Sequence, residues 1–158
     1  MPKKSADDWF AEYAVCHQNS TNKTLHWICI PLIVLSLIGL LWGVALPGTA
    51  SLDSPYLNWG MLLIVISLAF YLRLSLMLAA GMLLVSATAV GVLVAYQRAG
   101  LGPVWVASLV VFVAAWIGQF IGHKIEGKKP AFFEDIQYLL IGPIWLLAFI
   151  YRHLGIRY

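Results

Sequence analysis

The residues of this chain with the greatest capacity for chemistry are four histidines, His17, His26, His123 and His153. None lies inside an apolar run. His17 and His26 stand just before the first run, His123 just after the fourth, and His153 near the C-terminus. Imidazole is the commonest side-chain ligand for first-row metals, and three imidazoles with open positions favour Fe(II), Zn or Cu over Mg or Ca. A polar cluster surrounds the third histidine: Gln119-Phe-Ile-Gly-His123-Lys-Ile-Glu126-Gly-Lys-Lys-Pro130-Ala. Gln119 and His123 are one helical turn apart on one face, and Glu126 follows three residues later. Metal-bound imidazoles usually donate their second N–H to a carboxylate or amide, a role open to Asn22, Gln119 or Glu126. Cys16 and Cys29 flank the histidine pair and read as small apolar fillers. Lys124 and Lys128 are placed to attract a carboxylate, although membrane topology alone also calls for a basic loop there.

The elements that must position these groups follow from composition. The chain of 158 residues is 61% hydrophobic and 11% charged, with a mean hydropathy of +0.85. That is too little charge to cover a soluble domain, so the class is integral membrane. A bilayer core of about 30 Å needs roughly 20 apolar residues per helix. Trp27–Leu46 supplies one span, Leu57–Tyr96 two spans interrupted by Arg73, and Gly102–Ile121 a fourth. Ile136–Tyr151 is a shorter fifth element, broken by Gly142-Pro143 and either crossing or re-entrant. The expectation is an all-α membrane bundle forming one domain over 1–158. Four spans and the short fifth helix occupy 27–151, and an amphipathic helix and turn occupy 1–25.

In that first segment Ser5-Ala-Asp-Asp8 reads as a capping box, and Trp9, Tyr13 and Cys16 share one face of a helix lying among headgroups. No apolar stretch follows Lys3-Lys4, so the segment is not a secretory signal. Gln18–Asn22 is a turn, with Asn22 expected to cap the first long helix. On one continuous helix His17 and His26 would face opposite ways, so the turn is what allows them to converge.

Lysine and arginine placement favours a cytoplasmic N-terminus, with Arg98 alone in the outer loops of a four-span chain. This puts His17, His26 and His123 on one side of the membrane, while His153 depends on the path of the last segment. Gly39-xxx-Gly43 and Gly118-xxx-Gly122 predict close helix approach, and Trp42, Trp59, Trp105 and Trp145 suit interfacial belts. The positive charge of +3 reflects topology and does not call for nucleic acid. No phosphate loop, repeat or intramembrane carboxylate suggests a pump or transporter, and no histidine pair within the spans suits haem.

His17-xxxx-Asn22-xxx-His26-xxxx-Pro31, then Trp116-xx-Gln119-Phe-Ile-Gly-His123-xx-Glu126-Gly-xx-Pro130-Ala and Leu-Leu-Ile-Gly142-Pro143, resemble the small membrane proteins related to the yeast 2-hydroxy fatty acid dioxygenase. The resemblance covers nearly the whole chain. It departs from the common pattern at Cys29, where glycine is frequent, and the interval between the last histidine and the glutamate varies in the family. The resemblance implies an Fe(II)-dependent α-oxidation that shortens a 2-hydroxy fatty acid by one carbon, using O2. Three imidazoles would leave three of six octahedral positions, two for the hydroxyl and carboxylate of the acid and one for O2. No 2-oxoglutarate would then be required. A site at the membrane surface suits a lipid whose head stays at the interface while its tail lies in hydrocarbon. The expected location is a bacterial inner membrane with a cytoplasmic site, or the endoplasmic reticulum in a eukaryote. The rival readings are a zinc-dependent lipid amidase, a haem-binding subunit and a scaffold without metal.

Overall fold

The computed structural model describes residues 4–49, 54–129 and 137–158. Lys3, Pro130 and Ala131 of the sequence reading, and the first residue of Ile136–Tyr151, lie outside these. The described residues form six helices: α1 Ala6–Ala14, α2 Ser20–Trp42, α3 Trp59–Leu74, α4 Leu76–Arg98, α5 Val104–Glu126 and α6 Tyr138–His153. They contain no strand, only an isolated antiparallel bridge between Ala45 and Asn58. The helices α2, α4 and α5 are long and apolar enough to cross a membrane, and the chain reads as a membrane protein.

Local chemistry sets the helix ends. The capping box of α1 is formed, with Ser5 Oγ accepting from the Asp8 amide at 3.2 Å and Asp8 Oδ2 from the Ser5 amide at 2.9 Å. The cap of α2 is Asn19 and not Asn22: Asn19 Oδ1 accepts from the Thr21 amide at 2.9 Å, leaving Asn22 inside the first turn. The helix therefore starts seven residues before Trp27, because polar residues that fall outside a hydropathy window still form good helix. The break in the double-length run falls at Ser75, which ends α3 and caps α4 with its hydroxyl. Gly127, at φ +75°, ends α5 in the left-handed region that glycine adopts without strain. Gly142-Pro143 does not break α6. Pro143 lies within a continuous helix, where its missing amide leaves the Leu139 carbonyl without the usual helical partner.

The principal packing is α2 against α5. The two run antiparallel with one register along their length. Ser108 faces Gly39, Cys29 faces Gly118, and Asn22 faces Gly122, each glycine leaving no room for a side chain. Gly43 makes no such approach. The helices α3 and α4 complete four rods, joined at the far end by an apolar cluster around Ile38, Trp42, Ile64 and Leu93. Trp42 is thus a core residue, 5% exposed, and not part of a belt.

The helices α1 and α6 form a second layer over the histidine end of the rods. Leu140 accepts a hydrogen bond from the Tyr71 hydroxyl (3.1 Å), Gly142 abuts Ile30, Phe149 meets Trp27, and Met77 accepts from Tyr151 (3.0 Å). All of these partners belong to the same end of α2, α3 and α4. The apolar face of α1 is buried against α6 through Trp9, Phe10 and Tyr13, so this helix is covered by protein. Around the rods, large side chains such as Leu84, Val110 and Val65 point outward at 59–70% exposure, the surface expected of helices solvated by lipid.

Candidate metal centre

The second layer carries His17 to the mouth of the bundle. It lies in the turn between α1 and α2, while His26 is in the second turn of α2 and His123 in the last turn of α5. The antiparallel register that sets Asn22 beside Gly122 also brings His26 and His123 level. The three rings are 1%, 1% and 5% exposed. Their centroids are 4.3–5.1 Å apart with interplanar angles of 74–81°. One ligand nitrogen from each lies within 4.8 Å of the others.

Hydrogen bonding fixes two of the rings. His17 Nδ1 is 2.6 Å from the Tyr13 carbonyl and His26 Nδ1 is 2.9 Å from the Asn22 carbonyl. A carbonyl oxygen only accepts, so each Nδ1 carries the proton, and in a neutral ring Nε2 is then a bare lone pair. These two Nε2 atoms face each other at 2.8 Å. Two ligands at right angles around a metal, each about 2.1 Å away, would be about 3 Å apart. Burial lowers the pKa of His17 to about 4, so its ring is neutral at physiological pH. The donor set is therefore electron-rich and fits a cation.

The N–H groups of His17 and His26 thus go to backbone carbonyls one turn earlier, and not to the side chains of Asn22, Gln119 or Glu126. The spacing of four residues from Tyr13 to His17 and from Asn22 to His26 carried that signal. Glu126 has another task. Its carboxylate accepts from the Gln18 and Asn19 amides, both at 2.8 Å, and from Asn22 Nδ2 at 3.1 Å. Asn22 Nδ2 also reaches the Cys16 carbonyl at 3.1 Å. Glu126 and Asn22 together clamp the turn that bears His17.

Two aromatic residues were not anticipated. Tyr13 stacks on His17 at 4.1 Å, and Trp145, read from sequence as a belt residue, lies 5.6 Å from His17 and 5.5 Å from Tyr13. Burial raises the pKa of the Tyr13 hydroxyl, keeping it protonated.

A small cleft runs from His26 and His123 past Gln119 and Trp116 to Ile33 and Val34, with Gly142-Pro143 of α6 opposite. Ile33 lies about 10 Å along α2 from His26 at 1.5 Å per residue. Lys124 and Lys128 do not line the cleft. Both are exposed, and Lys128 Nζ donates to the Val15 carbonyl at 2.9 Å. His153 is exposed at the end of α6, apart from the other three.

A family model described as 2-hydroxy-palmitic acid dioxygenase Mpo1-like matches residues 3–154. The chain belongs to the Mpo1-like family. The Mpo1-like match takes in all six helices and the three converging histidines, and its name implies a dioxygenase of fatty acid metabolism. Comparison with curated proteins and with solved structures gave no match.

Proposed function

We propose that this chain is an Fe(II)-dependent dioxygenase that shortens 2-hydroxy fatty acids by one carbon, with His17, His26 and His123 as the metal ligands. The observation that carries this reading is the convergence of three buried imidazoles, two of which line one end of a mainly apolar cleft. Iron bound there would supply Lewis acidity toward the acid's head and electrons for O2. The protein's own part is to hold and desolvate. The Tyr13 and Asn22 carbonyls fix the tautomers of two rings, Glu126 clamps the turn, and Tyr13 packs His17 in place. The cleft takes the acyl chain between α2, α5 and α6, each buried CH2 contributing roughly 0.8 kcal/mol.

In this reading α2 to α5 cross the membrane. The 16-residue α3, about 24 Å long, crosses because its ends lie at opposite ends of the bundle. Helix α6 does not cross, since it touches the histidine end of its neighbours over its whole length. Among the described residues Lys4, Lys23, Arg73, Lys124, Lys128, Lys129, Arg152 and Arg157 then share that side and only Arg98 lies on the other, favouring a cytoplasmic site. A bacterial inner membrane is the proposed location.

The test is metal analysis of anaerobically purified protein, with O2 consumption measured on 2-hydroxypalmitic acid. Equimolar iron and oxygen uptake that depends on it are expected. Zinc with full lipid turnover and no oxygen uptake would establish the hydrolase instead.

A further inference from the structure

Gln119 is a buried amide without a bond. It is 6% exposed, and its Oε1 has no hydrogen-bond partner among the described residues. A buried acceptor left unpaired is costly enough to be rare in native proteins. No donor among the described residues bonds to it. The amide of Asn22 serves the Cys16 carbonyl and Glu126, and Nδ1 of His123, one turn further along the same face, is itself unpaired. Gln119 lines the cleft beside His26 and His123, among apolar neighbours such as Ile30. A donor carried into the cleft by a ligand would supply the missing partner.

That requirement discriminates between ligands. A carboxylate is ionised at neutral pH and has no proton to give, and an acyl chain has none. On a 2-hydroxy acid the donor is the hydroxyl at C2. We infer that Gln119 Oε1 accepts a hydrogen bond from the substrate's 2-hydroxyl and is the residue that separates 2-hydroxy acids from unsubstituted fatty acids. This rests on the reading of the cleft as a fatty-acid site. It gives the protein a means of choice beyond the metal: an acid lacking the hydroxyl leaves Oε1 unpaired, and sites built to pair a hydroxyl reject such analogues strongly.

The experiment measures dissociation constants for 2-hydroxypalmitic and palmitic acid by quenching of tryptophan fluorescence, Trp116 being in the cleft wall. It uses wild type, Gln119→Met and Gln119→Glu, each metal-loaded and metal-free, with metal content determined in parallel. In Gln119→Met the preference for the hydroxy acid should fall about tenfold or more in both states. Palmitic acid should bind at least as tightly as before, and metal content should not change. Gln119→Glu keeps an acceptor oxygen and should weaken both acids while retaining the preference. Full preference in Gln119→Met would overturn the inference and leave the proposed function standing. Equal binding of both acids by metal-loaded wild type, with no turnover of either, would overturn the function and the inference together.

Discussion

Replacing Glu126 by alanine tests whether the clamp on the α1–α2 turn governs the metal centre. The carboxylate makes three hydrogen bonds, two to backbone amides at 2.8 Å and one to Asn22 Nδ2 at 3.1 Å. Bonds to a charged group are worth about 1.5–3 kcal/mol each when well buried. The Gln18 amide is at an exposed position and the other two are part-buried, so water recovers much of the loss, and a total of about 2–3 kcal/mol is reasonable. If that loss is drawn wholly from metal binding it corresponds to roughly 30–150-fold in affinity. This agrees with the 10–100-fold typical of groups that support metal ligands. Chelator competition on the purified protein measures it. Glu126→Gln, which keeps one acceptor oxygen but turns a donor toward an amide, should fall between wild type and alanine. If Glu126→Ala binds metal within about twofold of wild type, the turn is held by something else and the argument fails.

Three further outcomes are expected. Gly118→Ala would set a Cβ 2.6 Å from Cys29 Sγ and should destabilise the α2–α5 seam by about 1–3 kcal/mol; thermal unfolding in detergent should show the loss, with partial recovery in the double variant Gly118→Ala/Cys29→Ala. Because the folded pKa of His17 is lowered to about 4 from 6.5, the unfolded chain binds more protons between those values. Stability of the metal-free protein should therefore be constant above about pH 6.5 and decline as pH falls toward 4, and His17→Gln should flatten that slope in an unfolding titration. Finally, His123→Ala should abolish metal binding while His153→Ala leaves it unchanged, as quantified by metal content after purification; loss in both would point to a general folding defect.

The sequence displayed those parts of the site that depend on polarity against a hydrophobic background. Three imidazoles at run edges, the charge bias that put them on one side and the small residues at Gly118 and Gly122 are all visible as breaks in an apolar pattern. Hydropathy did not reveal Asn19 as the true cap, because the choice between Asn19 and Asn22 is settled by Glu126, more than a hundred residues away. Nor did it reveal Trp145 beside His17. A tryptophan near the end of an apolar run looks the same whether its helix crosses the membrane or lies across one end of a bundle. Gly142-Pro143 misled for a related reason. Local propensity counts the lost amide, while the buried packing of Ile141, Ile144 and Ala148 keeps the helix continuous.

The division of the histidines between α2 and its preceding turn on one side and α5 on the other has a consequence for biosynthesis. His17 and His26 leave the ribosome before His123, on α2 and the turn that precedes it. His123 follows only after two more helices have been made, and it meets its partners only once α5 has paired with α2. Under the proposed function, metal loading would therefore be a late step that waits on completed insertion. A chain arrested before α5 would carry only two of the three proposed ligands, too few to complete the centre proposed above.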